Sequence, residues 1–236
     1  MTAAPDIEGD DLDALIKRVD PDRWLSSRFV ADADQRADVI AIYAFDHELA
    51  RAPKAASNAL IGEIRLTWWG EVLDEIFDNG PVRRHPTAQA LALAVQRRTL
   101  ARAPLDAMAE ARYRELDPKP WTEAEVLDWA RASAGEAAGL AAAILDPRET
   151  QAPAMLAGTT WRLALWQAHR VPGTVDLAGQ VDAFQRTARG AARSLTLAAF
   201  PAAAHAALAS AYRRNAAPSD LEKRLRLTWA VATGRI

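Results

Sequence analysis

Alanine occupies 54 of the 236 positions, and no other feature narrows the fold of this chain as far. It has the best intrinsic helix propensity because it gives up no side-chain entropy on entering a helix. Runs of Val, Ile or Thr, which would favour strands, are few. Helix start and stop signals then cut the chain into segments. A short helix is predicted from Asp10 to Val19, and Asp20-Pro21 supplies a cap and a first-turn proline for the next. Arg36 to Ala50 follows, with Val39, Ile40, Tyr43, Ala44 and Leu49 at helical spacing and Pro53 beyond it. Ser57 can cap a helix reaching Phe77, with a buried face of Leu60, Ile61, Ile64, Trp68 and Val72 and a stop at Asn79-Gly80-Pro81. Pro86 to Thr99 and Pro104 to Arg114 come next. Thr122 and Glu125 form a capping box for a helix through Trp129 that continues past Gly135 to Leu145, where Asp146-Pro147 closes it. Further helices are expected from Thr150 to His169, from Asp176 to Leu197, from Ala202 to Tyr212, and from a Ser219/Glu222 capping box to Val231. With no strand pattern, repeat or long linker in between, the chain reads as one all-α domain over 1–236, its first nine residues flexible.

Composition excludes several function classes. The chain has 29 basic and 31 acidic residues, a net charge of -2 and no cysteine. A near-neutral balance argues against a nucleic-acid partner, which selects a strong basic excess. Without cysteine there is no disulfide framework, thiolate-held cluster or thiol nucleophile. The longest apolar runs, such as Ala137 to Leu145, fall far short of the roughly 20 residues a membrane span needs. The acidic start, Asp6 to Asp11, is not a signal peptide, so a cytoplasmic location is expected, with peripheral contact to the inner membrane left open. The basic residues are 25 Arg against 4 Lys, a bias that reports either a G- and C-rich genome or phosphate recognition.

Candidate chemistry is sparse. His47, His85, His169 and His205 form no His-x-x-x-His pair and lack a carboxylate at metal spacing. Glu71, Asp74, Glu75 and Asp78 share one helical stripe, which reads either as a solvated face or as a seat for Mg²⁺ on a diphosphate. Eight tryptophans are many for this length. Trp68 and Trp69 diverge by about 100° on a helix and cannot both face one groove, whereas Trp161 and Trp166 belong either to a core or to the wall of an apolar ligand cavity.

The blocks Asp22-Arg23-Trp24-Leu25, Ile42 to Ala50, Gly62 to Trp69 and His85-Pro86 resemble, in order and spacing, the squalene and phytoene synthase family. The resemblance covers residues 20 to 90 well and implies an all-α isoprenoid-synthase fold around a central cavity. In active members two aspartate-rich motifs there bind Mg²⁺ and, through it, prenyl diphosphates. The chain departs from that pattern. Where the first motif is expected it carries His47, Ala50, Arg51 and Lys54, and along the helix of the second it reads Trp161, Arg162, Trp166 and His169 with no acid before Asp176. The resemblance therefore implies no catalytic residues, no metal and no cofactor. It implies instead a non-catalytic binding or assembly protein, similar to the branch of this family that assists assembly of respiratory complex I. A complex I subunit or assembly intermediate is the implied partner, and an apolar or anionic lipid held through Arg51, Lys54 and Arg162 is the implied ligand. The alternative is a prenyl-diphosphate condensing transferase with an unconventional Mg²⁺ site on the Asp74/Asp78 stripe.

Overall fold

Nine consecutive residues of one helix, Asp38 to Asp46, are buried, which is more than two full turns. A helix buried on every side sits inside a protein, and this one, α3 (Ala33–Lys54), is the axis around which the others pack. The computed structural model describes residues 9–54, 58–78, 80–148, 150–169, 174–214 and 218–236. Before α3 come α1 (Gly9–Val19) and α2 (Pro21–Ser27), the latter capped by Asp20, whose carboxylate accepts from the Arg23 amide. After it come α4 (Ala59–Phe77), α5 (Pro86–Arg98) and α6 (Arg102–Glu110). Helices α1, α4, α5 and α8 (Glu136–Leu145) surround α3, closing an apolar cluster that includes Ile16, Ile42, Phe45, Leu66, Leu91 and Leu140.

A second apolar cluster gathers α7 (Glu123–Ala130), α9 (Ala152–Ala168), α10 (Ala178–Ala191), α11 (Ala209–Tyr212) and α12 (Asp220–Thr233) around Val126, Trp161, Leu163 and Leu208. The two halves are joined where α8 crosses α9. The crossing is close because small residues line it: a β-carbon added at Gly158 would stand 2.2 Å from the Ala134 carbonyl oxygen and 2.8 Å from the Ala138 β-carbon. At the same place the helix widens into a π turn, Arg131–Gly135, between α7 and α8. Such turns insert one residue into a helix without ending it, which is how the segment predicted to continue past Gly135 does so.

The Thr122/Glu125 capping box forms as predicted, and no strand occurs among the described residues. Other expectations require correction. Helix α3 begins before Arg36 because Asp32 accepts from the Gln35 amide, and it runs past Ala50 to Lys54 with Pro53 held in its last turn. The stretch from Ala202 is largely 3₁₀ helix before the single α turn of α11, and α10 ends at Ala191 well before Leu197. On α4 the buried face is Gly62, Leu66, Trp69, Val72 and Leu73, while Leu60 and Ile64 lie in solvent. The predicted cap Ser57 lies outside the described residues, and Asn58 caps α4 through its side chain. The acidic stripe at the end of α4 is a solvated face. Glu71 and Glu75 bind Arg83, and Asp74 binds Arg102.

Candidate functional site

Asp46 closes the apolar run from Val39 to Phe45 in sequence and is 1% exposed, so its charge must be met inside the protein. Three guanidinium groups meet it. Arg23 of α2 donates through Nη2 to Asp46 Oδ2 at 2.7 Å, and Arg162 of α9 donates to the same oxygen at 3.1 Å. Arg112, just after α6, donates to Oδ1. Each comes from a different part of the chain, so the contact exists only in the assembled fold.

The cations are compensated in turn. Arg23 also binds Asp20, and Arg112 binds Glu115 Oε1 at 2.6 Å, an oxygen that also accepts from Trp129 Nε1 at 2.8 Å. Three arginines thus face three carboxylates, Asp20, Asp46 and Glu115. Aromatic rings wall the cluster: Arg23 lies 4.7 Å from the centre of Tyr43 and 5.1 Å from Trp161, and Arg162 lies over both Trp161 and Trp129. Tyr43 belongs to the first apolar cluster and Trp161 to the second, so the charges sit where the two halves of the fold meet.

Burial alone pushes the Asp46 carboxyl up, but Arg112, Arg23 and Arg162 overcome it and hold it well below the usual carboxylate range. Arg162 carries less compensation. Burial and the like charges of Arg112 and Arg23 outweigh Asp46 and pull its guanidinium down to about 10, still a cation at neutral pH. Arg23 Nη1, Arg112 Nε and Arg162 Nε have no hydrogen-bond partner among the described residues. Beside them His205 packs edge-on against Trp161 at 5.1 Å, and burial pulls its imidazole down to about 3, so it is neutral.

A second buried carboxylate, Asp22, ties the same region to the last helices. It accepts from Trp161 Nε1 at 3.0 Å and from the Tyr212 hydroxyl at 2.6 Å, and it pairs with Lys223 at 2.8 Å. Three aromatic rings, Trp121, Trp129 and Trp166, pack edge to face with ring centres 5.3–5.8 Å apart.

Of the residues singled out from sequence, Trp161 and Arg162 enter the charged cluster and Trp166 reaches it through Trp129. The others do not. Arg51 is exposed and pairs with Glu48 at 2.9 Å, one turn back on its own helix, and Lys54 is exposed. His169 is exposed at the end of α9, with its ring Nδ1 2.9 Å from the Leu165 carbonyl oxygen. His47 and Ala50 are half-buried on α3, and burial pulls the His47 imidazole down against the opposing charge of Glu48. An anion pocket made of Arg51 and Lys54 is therefore not what the fold assembles. The residues that sequence reasoning missed as site members are Asp20, Arg23, Asp46, Arg112 and Glu115. Among the described residues no three or more His, Cys, Asp or Glu side chains converge where a metal ion could sit.

With this geometry in hand, similarity to known proteins can be placed on it. The family profile described as squalene/phytoene synthase matches residues 16–165. The chain is 29% identical over 114 residues to the Bos taurus protein named NADH dehydrogenase (ubiquinone) complex I, assembly factor 6, and equally so to its Homo sapiens counterpart. Those stretches are 48% of this chain and 34% of either relative, so the chain matches about a third of their length. Among solved structures, a dehydrosqualene synthase in complex with ligand superimposes with a TM-score of 0.69 at 16% identity, covering 95% of both chains. The squalene synthase HpnC from Alicyclobacillus acidocaldarius superimposes with a TM-score of 0.62 at 17% identity, covering 96% of this chain and 94% of its own. The fold is thus the all-α isoprenoid-synthase fold expected from sequence.

Proposed function

Since the chain belongs to the squalene/phytoene synthase family, we propose that it uses the family's fold without the family's condensation chemistry, as a binding or assembly protein for respiratory complex I. The observation that carries this reading is the occupied state of Asp46. Ionising an allylic diphosphate places negative charge on the leaving group, and the family meets it with Mg²⁺ held by carboxylates. Here the central carboxylate is already the acceptor for three guanidiniums, and those are balanced by Asp20 and Glu115. The positions that resemble the first aspartate-rich motif, Ala50, Arg51 and Lys54, bring no carboxylate to α3. The described residues accordingly lack the converging carboxylates that a Mg²⁺–diphosphate pair calls for.

The relatives named as assembly factors supply the direction of the proposal. They share about 114 residues with this chain at 29% identity, and the assembly role is carried over from their names. The competing reading, a condensing transferase acting on prenyl diphosphates, draws on the structural likeness to a dehydrosqualene synthase along 95% of the chain.

Two measurements separate the readings. Purified protein supplied with Mg²⁺ and farnesyl or geranylgeranyl diphosphate is expected to release no pyrophosphate above background, because losing metal-assisted charge stabilisation costs several kcal/mol in the barrier and orders of magnitude in rate. A strain lacking the gene is expected to lose complex I activity or assembly while its isoprenoid products stay unchanged. Turnover in the ordinary enzyme range, or a strain with normal complex I and a missing isoprenoid, overturns the proposal.

A further inference from the structure

Leu221, Leu225 and Trp229 recur every four residues on α12 and are 67%, 63% and 67% exposed. At about 100° per residue they fall within one narrow stripe. Nothing in the packing of α12 requires them there, since the helix is held by Leu227 and Ala230, which are buried, and by the pair between Lys223 and Asp22. The outward face carries cations beside the stripe. Arg224 on the helix and Arg235 just beyond its Gly234 cap are exposed, whereas Glu222 is taken up by Arg226, leaving Asp220 in the first turn as the exposed acid of this helix.

The C-terminal end of the stripe runs into more positive charge. Arg235 and Arg193 line a shallow cleft of about 440 Å³ together with Thr233 and Leu195. Arg189 donates to the main-chain oxygen of Ile236 at 3.1 Å, which brings the exposed Arg186, Arg189 and Arg193 face of α10 and the turn after it alongside the end of α12.

We propose that this face of α12 is a docking surface for an anionic lipid bilayer, with Leu221, Leu225 and Trp229 entering the headgroup boundary and Arg193, Arg224 and Arg235 holding lipid phosphates. Charge complementarity selects this occupant. A narrow stripe of Leu and Trp flanked by arginine is the composition of helices that lie in the plane of an interface, with tryptophan at headgroup depth. Three side chains offer much less than the roughly 800 Å² per partner that a stable protein–protein contact buries. No helix among the described residues is long and apolar enough to cross a membrane, so attachment through α12 would be from the surface. The inference is independent of the assembly reading and would hold for a transferase as well.

The test is flotation of the full chain with vesicles of phosphatidylcholine alone or mixed with phosphatidylglycerol. Binding is expected only to the mixed vesicles and should weaken with salt. Each arginine near an anionic surface strengthens binding about fivefold, so Arg193→Glu with Arg235→Glu should weaken it well beyond tenfold. Leu225→Ser with Trp229→Ser should weaken it about tenfold or more, whereas Leu60→Ser with Ile64→Ser, on the exposed face of α4, should leave it unchanged. All six positions are exposed or on the cleft rim, and an unchanged melting temperature confirms that each variant is folded. The proposal is overturned by absence of flotation, by equal binding to neutral vesicles, by variants that bind as the parent does, or by a dimer that Trp229→Ser dissociates while no vesicle binds.

Discussion

Replacing Asp46 by Asn removes one charge and almost no volume, which makes it the sharpest probe of the cluster at the centre of the fold. Both Asp46 and Arg112 are 1% exposed and Arg23 is 4% exposed, so solvent cannot take over the lost compensation. The amide that replaces one oxygen would present N–H groups to guanidiniums that also only donate. Breaking a buried ion pair by deleting one partner costs about 3–5 kcal/mol, because the remaining charge is stranded. Here three cations lose their common acceptor, and only Arg162, at 16% exposed, can turn toward water. For a chain of this size about 1 kcal/mol moves the melting temperature by roughly 2–4 °C, so a loss of about 4 kcal/mol should lower it by roughly 12 °C. Asp38→Asn is the matched control. Asp38 is also buried, at 4% exposed, but its partners Arg97 and Arg98 are 41% and 23% exposed, so they rehydrate, and a loss of only about 1 kcal/mol is expected. The pH dependence has a definite sign. Asp46 is held below its unfolded value of about 4, so its stabilisation is complete above that pH and is lost as pH falls through the lower folded value. Thermal melts of both variants, followed by circular dichroism between neutral and strongly acidic pH, measure all of this. An Asp46→Asn protein melting within about 2 °C of the parent, or one no less stable than Asp38→Asn, would refute the argument that the cluster holds the two halves together.

Two further outcomes follow from the packing. Gly158→Ala should cost several kcal/mol, because the new methyl would meet the Ala134 carbonyl at 2.2 Å and neither backbone can yield without separating the π turn from α9, while Gly70→Ala, with nothing within 4 Å, should stabilise by about 1 kcal/mol; melting temperatures of the two compare them directly. His205→Phe should flatten the fall of stability between pH 6.5 and 3, since the buried imidazole titrates at about 3 while the unfolded one takes its proton near 6.5, so that the unfolded chain binds more protons in that window; an unchanged slope of melting temperature against pH there would count against a neutral buried His205.

How much of this was legible in the sequence depends on whether the signal was local. The capping box at Thr122 and the continuation of the helix past Gly135 are local, and both hold. Helix α4 misled because it offers two apolar rows: Leu60, Ile64 and Trp68 fit a helical period as well as Leu66, Trp69 and Leu73 do, and only neighbouring elements decide between them. Leu116 of the turn after α6 presses on Gly62 and fixes the second set inward. The 3₁₀ run after Ala202 has no sequence mark that separates it from an α-helix, since alanine suits both.

The site divides in the same way, and the division explains why motif positions lead to Arg51, Lys54 and Arg162, of which Arg162 enters the charged cluster. Arg51 and Lys54 stand where carboxylates are expected, but α3 turns by about 100° per residue, and the direction that leads inward is occupied by Asp46 and Leu49, leaving Arg51 to Glu48 and solvent. Asp46 itself was readable in principle. It is an acid that closes the apolar run from Val39 to Phe45, a stretch of about two helical turns with no polar face, and a buried carboxylate requires cations. Which cations could not be read, because 25 arginines are spread along the chain and contacts across 23, 66 and 116 residues leave no local trace. Arg23 lay inside a recognised block and Arg162 on the helix of the second motif, yet Arg112 had no distinguishing neighbour at all. A chain rich in arginine therefore conceals its structural ion pairs among its surface ones. The buried acid, rarer and costlier to place, is the residue from which such a cluster should be sought.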